Sequence, residues 1–189
     1  CGKALWGNAM YREGAIVVGV DIGRKVAQLA KEYNDKRIAI VCADVRHLPF
    51  KSEMFDIVFY GYILHHLNEQ DIINSLREAR RALKKGGACC SVDPNGKNLY
   101  IKLIHRYRKI GWVLCRHMIS LNERALEPHL ITKLFSEAGF RDPHITTLPV
   151  IPSAIEQNLR FFRRFNNFLE KTLPLFGGNV LAWCLQDGQ

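Results

Sequence analysis

Two aspartates each follow a short, β-branched apolar run: Asp21 in VVGVDI, Val17 to Ile22, and Asp44 in ADVRHLPF, Ala43 to Phe50, directly after Ile38 to Cys42. An ionised carboxylate only accepts hydrogen bonds, so either residue suits a ligand that presents donors, and Asp21 suits two adjacent sugar hydroxyls. Asp21 also lies about twenty residues after Cys1-Gly2, the separation at which nucleotide-binding α/β folds place a ribose carboxylate. The competing role for such residues is a turn or a cap, and Asp44, two residues before Arg46, has that alternative. Two acidic strand ends on one rim mean more than either alone, because open parallel sheets bind ligands outside the carboxyl ends of their strands. A third group comes from FDIVFYGYILHHL, Phe55 to Leu67. Gly61 lacks a Cβ and lets backbone come close to a ligand, and His65 and His66 follow it. Imidazole titrates at about pH 6.5 and can take a proton at neutral pH; His65 is the nearer to the strand end. Either histidine could instead pack beneath the next helix or bond locally.

Positioning these groups requires strands that end on a common edge. Apolar runs alternate with helical periodicity along most of the chain, the pattern of β-α units and a mainly parallel sheet. A helix is predicted over Ala4 to Glu13, closing at Gly14, then a strand over Ile16 to Asp21. Next comes a helix from about Lys25 to Tyr33 with Val26, Leu29, Ala30 and Tyr33 in phase. Strands are expected at Ile38 to Cys42 and Phe55 to Tyr60. Asn68 suits the N-cap of a helix to Lys85, with Gly86-Gly87 as its C-cap. Ala88 to Asp93 reads as a strand stopped by Pro94. Pro128 opens a helix to Gly139, and strands are expected at His144 to Leu148 and Asn179 to Leu185.

Taken in order, VVGVDI, ADVRHLPF, FDIVFYGYILHHL and the ALKKGG that precedes a strand resemble the class I S-adenosylmethionine-dependent methyltransferases, most closely those acting on small molecules and lipids such as quinone precursors. The resemblance covers about Cys1 to Phe140, with a final antiparallel hairpin to Leu185. It implies a Rossmann-like, mainly parallel, doubly wound sheet with helices on both faces, and S-adenosylmethionine as cofactor. By position, Gly2 is similar to part of the glycine-rich loop under the methionine moiety, Asp21 to the ribose carboxylate and Ile22 to the apolar residue on the adenine face. Asp44 resembles the acceptor for the adenine amino group, Val45 the backbone donor to the ring, and Tyr60 and Gly61 the lining of the methionine end. His65 is the candidate base. The family's loop carries further glycines after a first strand; here Ala4 stands where a last glycine is expected, and its methyl crowds the loop if φ is positive. That first strand, central in the family's sheet, is expected to be missing from this chain, which leaves unpaired edges on both neighbours.

The chain has 189 residues, enough for one domain with a substantial core. A single domain over 1–189 is expected, with substrate-shaping insertions at about 97–124 and 153–176. Six cysteines without CxxC spacing and seven histidines without a paired ligand pattern read as buried thiols in a reducing cytoplasm, and no metal site is expected. The formal charge of +9 favours anionic partners. Leu99 to His117 and Asn158 to Phe176 interleave apolar and basic residues near helical spacing, as lid helices or as surfaces for an anionic membrane. Together they favour a small, hydrophobic or lipid-like acceptor over RNA, for which Arg and exposed aromatics would stack on bases. A non-catalytic, methyltransferase-like binding subunit is the alternative from a different class.

Overall fold

A computed structural model of the chain describes residues 2–34, 38–98, 126–148 and 179–186. α1 (Leu5–Arg12) precedes β1 (Val18–Asp21), α2 (Arg24–Tyr33) and β2 (Ala39–Cys42). β3 (Phe55–Gly61), α3 (Glu69–Ala82) and β4 (Leu83–Pro94) follow, then α4 (Pro128–Glu137), β5 (His144–Leu148) and β6 (Asn179–Leu185). β1 and β2 are parallel, with Asp21 opposite Cys42. β3 and β4 are parallel, β6 runs antiparallel to β4, and β5 antiparallel to β6. This is the Rossmann-like α/β alternation expected, ending in antiparallel strands.

The sheet is divided into a β1-β2 ladder and a β3-β4-β6-β5 ladder, and among the described residues no strand occupies the second edge of β1 or β3. α1 touches both halves: the Trp6 ring lies 5.4 Å from that of Phe59 on β3, and Gly7 is so close to Val17 and Ile38 that a Cβ there would stand 3.3 and 3.2 Å from their side chains.

The two ladders rest on different cores. Ala4, Ala27, Ala30, Ile38 and Ile40 form a small one under β1-β2. The larger one joins Ile72, Ile73, Leu76 and Ala79 of α3 to Ile131, Leu134 and Phe135 of α4 and to Val180, Ala182 and Cys184 of β6. The stripe along α3 is therefore where helical periodicity puts it. On α2 the periodicity misleads. Only Ala27 and Ala30 are buried, while Val26, Leu29 and Tyr33 are exposed, because a two-stranded ladder is too narrow to cover them. The same narrowness leaves Cys42 exposed, against expectation, whereas Cys89 and Cys184 are buried.

Asn68 caps α3 as predicted, its side chain accepting from the Asp71 N–H at 2.8 Å. The other end corrects the sequence reading. The chain turns extended at Leu83 (φ −74°, ψ 140°), and Leu83–Pro94 is one strand, so Gly86-Gly87 lies within β4 and caps no helix. The stop comes from outside the helix: the Glu53 and Met54 N–H groups donate to the Arg81 and Ala82 carbonyls at 3.0 and 2.8 Å. Gly87 serves the strand, since a Cβ there would meet the Lys84 and Asp56 carbonyl oxygens at 2.9 and 3.0 Å, beside the register shift between Phe55 and Ile57.

Almost all of the expected insertions at 97–124 and 153–176, and the amphipathic segments Leu99 to His117 and Asn158 to Phe176, lie outside the described residues. No helix among the described residues is long and apolar enough to cross a membrane.

Candidate cofactor and acceptor site

Asp21 is the last residue of β1, and both of its oxygens are engaged by backbone. Oδ1 accepts from the Gly23 N–H at 2.9 Å and Oδ2 from the Gly2 N–H at 3.2 Å. Burial pushes this carboxyl up, but the hydrogen bonds, those from Gly23 and Gly2 among them, outweigh it and hold the group below its ordinary value. A carboxylate only accepts hydrogen bonds, the property that ribose hydroxyls require of a partner. Gly2 is thus brought to Asp21. The adjacent Ile22 is 70% exposed, an apolar side chain at the strand end with its face open. An acidic side chain aimed outward beside an exposed aliphatic one fits the ribose and adenine of S-adenosylmethionine.

The loop before α1 carries a cost. Ala4 has φ 51° and ψ 38°, the left-handed region that disfavours every residue with a Cβ. Its methyl is buried in the small core.

Asp44 follows β2 but is already partnered. Arg46 reaches its two oxygens through Nε at 3.0 Å and Nη2 at 2.6 Å, and the Arg46 N–H adds a bond to Oδ1 at 2.9 Å. The Arg46 hydrogen bonds hold the Asp44 carboxyl below its ordinary value. Arg46 continues to Asp71 on α3 at 3.1 Å, and these two carboxylates in turn raise its own pKa. Asp44 caps no helix, an alternative the sequence offers for it; its carboxylate instead closes a turn with Arg46. Val45 packs its side chain against the larger core, which leaves its backbone as the part that could face a ring.

The end of β3 separates Tyr60 from Gly61. Tyr60 is buried, and its hydroxyl donates to the Ser75 carbonyl at 2.8 Å; burial pushes the phenol well up. A strand sends alternate side chains to opposite faces, so the Tyr60 ring belongs to the core and only its backbone could line a ligand. Gly61 is required by its neighbours: a Cβ there would lie 3.0 Å from Phe59 and 3.1 Å from Trp6.

His65 sits in the short 3₁₀ turn Leu64–His66 and is buried. Its Nδ1 lies 2.9 Å from Asp93 Oδ1, and its backbone N–H donates to the same oxygen at 3.2 Å. Asp93 is fully buried near the end of β4, and its Oδ2 has no hydrogen-bond partner among the described residues. Burial pushes the Asp93 carboxyl above its ordinary value, while the bonds from His65 pull it down without cancelling the shift. The exposed His66 ring lies 4.0 Å from that of His65. Tyr62, at φ 57°, presents its ring edge-on to His65 at 6.4 Å, and burial first, then the Asp93 charge, raise its phenol. Asp93 was hidden in the sequence because Pro94 makes SVDPNG read as a strand stop. The available signal was that it is a third acid at a strand end, after Asp21 and Asp44.

Parallel strand pairs whose first two members lead into acids, with a His-Asp pair at the ends of the next two, make a Rossmann-like α/β arrangement. Residues 1–91 match the family described as methyltransferase domain. The ubiquinone/menaquinone biosynthesis C-methyltransferase UbiE of Desulfotalea psychrophila is 33% identical over 144 residues, covering 69% of this chain and 58% of that protein. A demethylmenaquinone methyltransferase of Alkalihalophilus pseudofirmus is 28% identical over 166 residues, covering 74% and 67%. Among solved structures, S-adenosylmethionine-dependent methyltransferases of Thermotoga maritima and Archaeoglobus fulgidus share the fold. Their TM-scores are 0.71 and 0.69 at 15% and 17% identity; each match covers 98% of this chain, and 78% and 82% of theirs. Over residues 1–91 the chain matches the methyltransferase-domain family, its fold is that of S-adenosylmethionine-dependent methyltransferases, and it spans 58% of the length of its Desulfotalea relative.

Proposed function

We propose that the protein transfers the methyl group of S-adenosylmethionine to a small, hydrophobic, lipid-like acceptor. The observation that carries this reading is Asp21: an outward carboxylate at the end of β1, held by the Gly2 and Gly23 N–H groups, within the segment that matches the methyltransferase domain. Relatives named for ubiquinone and menaquinone synthesis support the acceptor class. In this reading Gly2, Asp21 and Ile22 hold the loop, ribose and adenine sides. Asp44 and Val45 stand at the adenine edge, and Tyr60 and Gly61 contribute backbone at the methionine end. The bound sulfonium supplies an activated methyl group. The chain's task is then to align acceptor and methyl for in-line attack and to receive any proton the acceptor loses. Asp93 holds Nδ1 of His65, leaving Nε2 as the nitrogen to receive that proton. Contact with an anionic membrane through 97–124 and 153–176, a single domain over 1–189 and a cytoplasmic location complete the proposal.

Calorimetry with S-adenosylhomocysteine tests it. Wild type is expected to bind, and Asp21→Ala to lose at least about tenfold in affinity, the value of one charge-assisted hydrogen bond or more. Equal binding by both would remove Asp21 from the site, and no binding by wild type would sink the cofactor assignment.

Ala4 favours a second reading, a binding subunit without catalysis, because its left-handed backbone carries a methyl in the loop where the family places glycine. Transfer of labelled methyl from S-adenosylmethionine into a quinol-containing lipid extract by the protein alone would exclude it.

A further inference from the structure

A second recess lies on the opposite edge of the larger ladder, where β3 and β4 begin and β6 ends. Arg77, Arg80, Arg81, Lys85, Glu53 and Gln186 line an open cleft of about 270 Å³ there. β3, which separates its two ends, is seven residues long, roughly 20 Å at strand rise, so the cleft is no part of the rim carrying Gly61 and Asp93.

The cations of this cleft are not equivalent. Arg81 is committed to structure: it pairs with Glu78 at 2.8 Å and donates to the Phe50 and Leu48 carbonyls at 2.8 and 3.1 Å. The neighbouring Lys84 is paired with Asp56 at 2.9 Å and does not line the cleft. Arg77, Arg80 and Lys85 have no carboxylate partner among the described residues, and the lining offers them only Glu53. Arg80 is also seated. Its guanidinium atoms stand 3.3 to 3.5 Å from where a Cβ on Gly139 would be. Gly139 has φ 94°, so its backbone favours glycine there, and glycine keeps that seat open. Three uncompensated cations converging on a recess favour an anion, and guanidinium groups match phosphate oxygens in a planar, two-point fashion.

We propose that this cleft binds a small phosphorylated molecule by its phosphate group, through Arg77, Arg80 and Lys85. At about 270 Å³ the cleft is just under the size range of small-ligand pockets, so it has room for a phosphate group and a small attached portion, and a recess with a half-buried arginine suits a discrete ligand better than a membrane plane or a nucleic-acid strand. The site is independent of methyl transfer.

Ribose 5-phosphate and pyrophosphate, titrated at constant ionic strength into the full chain, test the assignment by calorimetry and thermal shift. Saturable binding is expected, weakened about tenfold or more by Arg80→Ala and by Lys85→Ala. Lys84→Ala should leave it unchanged, and S-adenosylhomocysteine affinity should be the same in all variants. Lys85 is exposed, so its variant reads binding even if Arg80→Ala disturbs folding. Three results would overturn the proposal: no saturable binding of either phosphate, binding insensitive to Lys85→Ala, or capture of phosphatidylglycerol vesicles or single-stranded RNA that depends on Lys85 in the absence of small-phosphate binding.

Discussion

Asp93→Ala and Asp93→Asn separate the hydrogen bonding of a buried carboxylate from its charge. Asp93 is 0% exposed; its Oδ1 serves both the His65 N–H and Nδ1, and its Oδ2 serves nothing. Alanine strands the buried backbone donor, at about 1–3 kcal/mol, and removes the ring bond, at about 0.5–1.5 kcal/mol. The expected loss is therefore about 2–4 kcal/mol. Asparagine keeps the oxygen that is used and discharges the one that is not, so at pH 7 it should fall within about 1 kcal/mol of wild type. The pH dependence has a defined sign. Burial holds the folded pKa of Asp93 above the ordinary 3.8. The cost of burying the ionised form is thus absent below pH 3.8 and complete above the folded value, so Asp93→Asn should gain on wild type as pH rises through that window. Urea denaturation of the three proteins at several pH values reads all of this. An alanine variant within about 1 kcal/mol of wild type, or an asparagine variant as damaged as alanine, would refute the reasoning.

Other substitutions probe the remaining parts. Tyr60→Phe should cost about 0.5–1.5 kcal/mol in denaturation through the lost bond to the Ser75 carbonyl, yet leave S-adenosylhomocysteine affinity unchanged; a tenfold fall would return the Tyr60 ring to the ligand. Ala4→Gly relieves about 1–2 kcal/mol of left-handed strain and gives up a buried methyl worth about 0.8 kcal/mol, so stability should hold or rise slightly. A loss beyond about 1 kcal/mol would show that the methyl outweighs the strain. Arg81→Ala should cost about 1–2 kcal/mol at pH 7, allowing for its partial exposure. It should also flatten acid unfolding: Arg81 holds the Glu78 carboxyl below its ordinary 4.5, so the stability it lends is present above that value and is lost as pH falls through the folded pKa. An unchanged acid limb would contradict the pairing.

What was legible in the sequence was local. β-branched runs and helical phase give the strands and α3, Asn68 gives the cap, and Pro128 the start of α4. Misreadings arose where a distant contact decides. Two lysines followed by two glycines imitate a helix end, whereas α3 is stopped by the N–H groups of Glu53 and Met54, some thirty residues upstream. Asp93 meets His65 across 28 positions, a pairing that no local pattern announces. Tyr60 and Gly61 are adjacent in sequence, but the alternation of a strand sends the tyrosine ring into the core and leaves only its backbone on the rim. Asp44 had two readings in the sequence, and the structure places Arg46 against it.

The division of the sheet bears on how the protein opens. β1-β2 stands on a core of three alanines and two isoleucines, while β3-β4-β6-β5 stands on one rich in leucine, isoleucine and phenylalanine. Free energies of local opening follow buried apolar contact. Amide protons of β1 and β2 should therefore exchange well before those of β4 and β6, with the carboxylate of Asp21 on the softer unit and the His65–Asp93 pair on the firmer one. A ligand that grips both would bind across this boundary, and its first signature in hydrogen exchange would be the merging of two opening transitions into one.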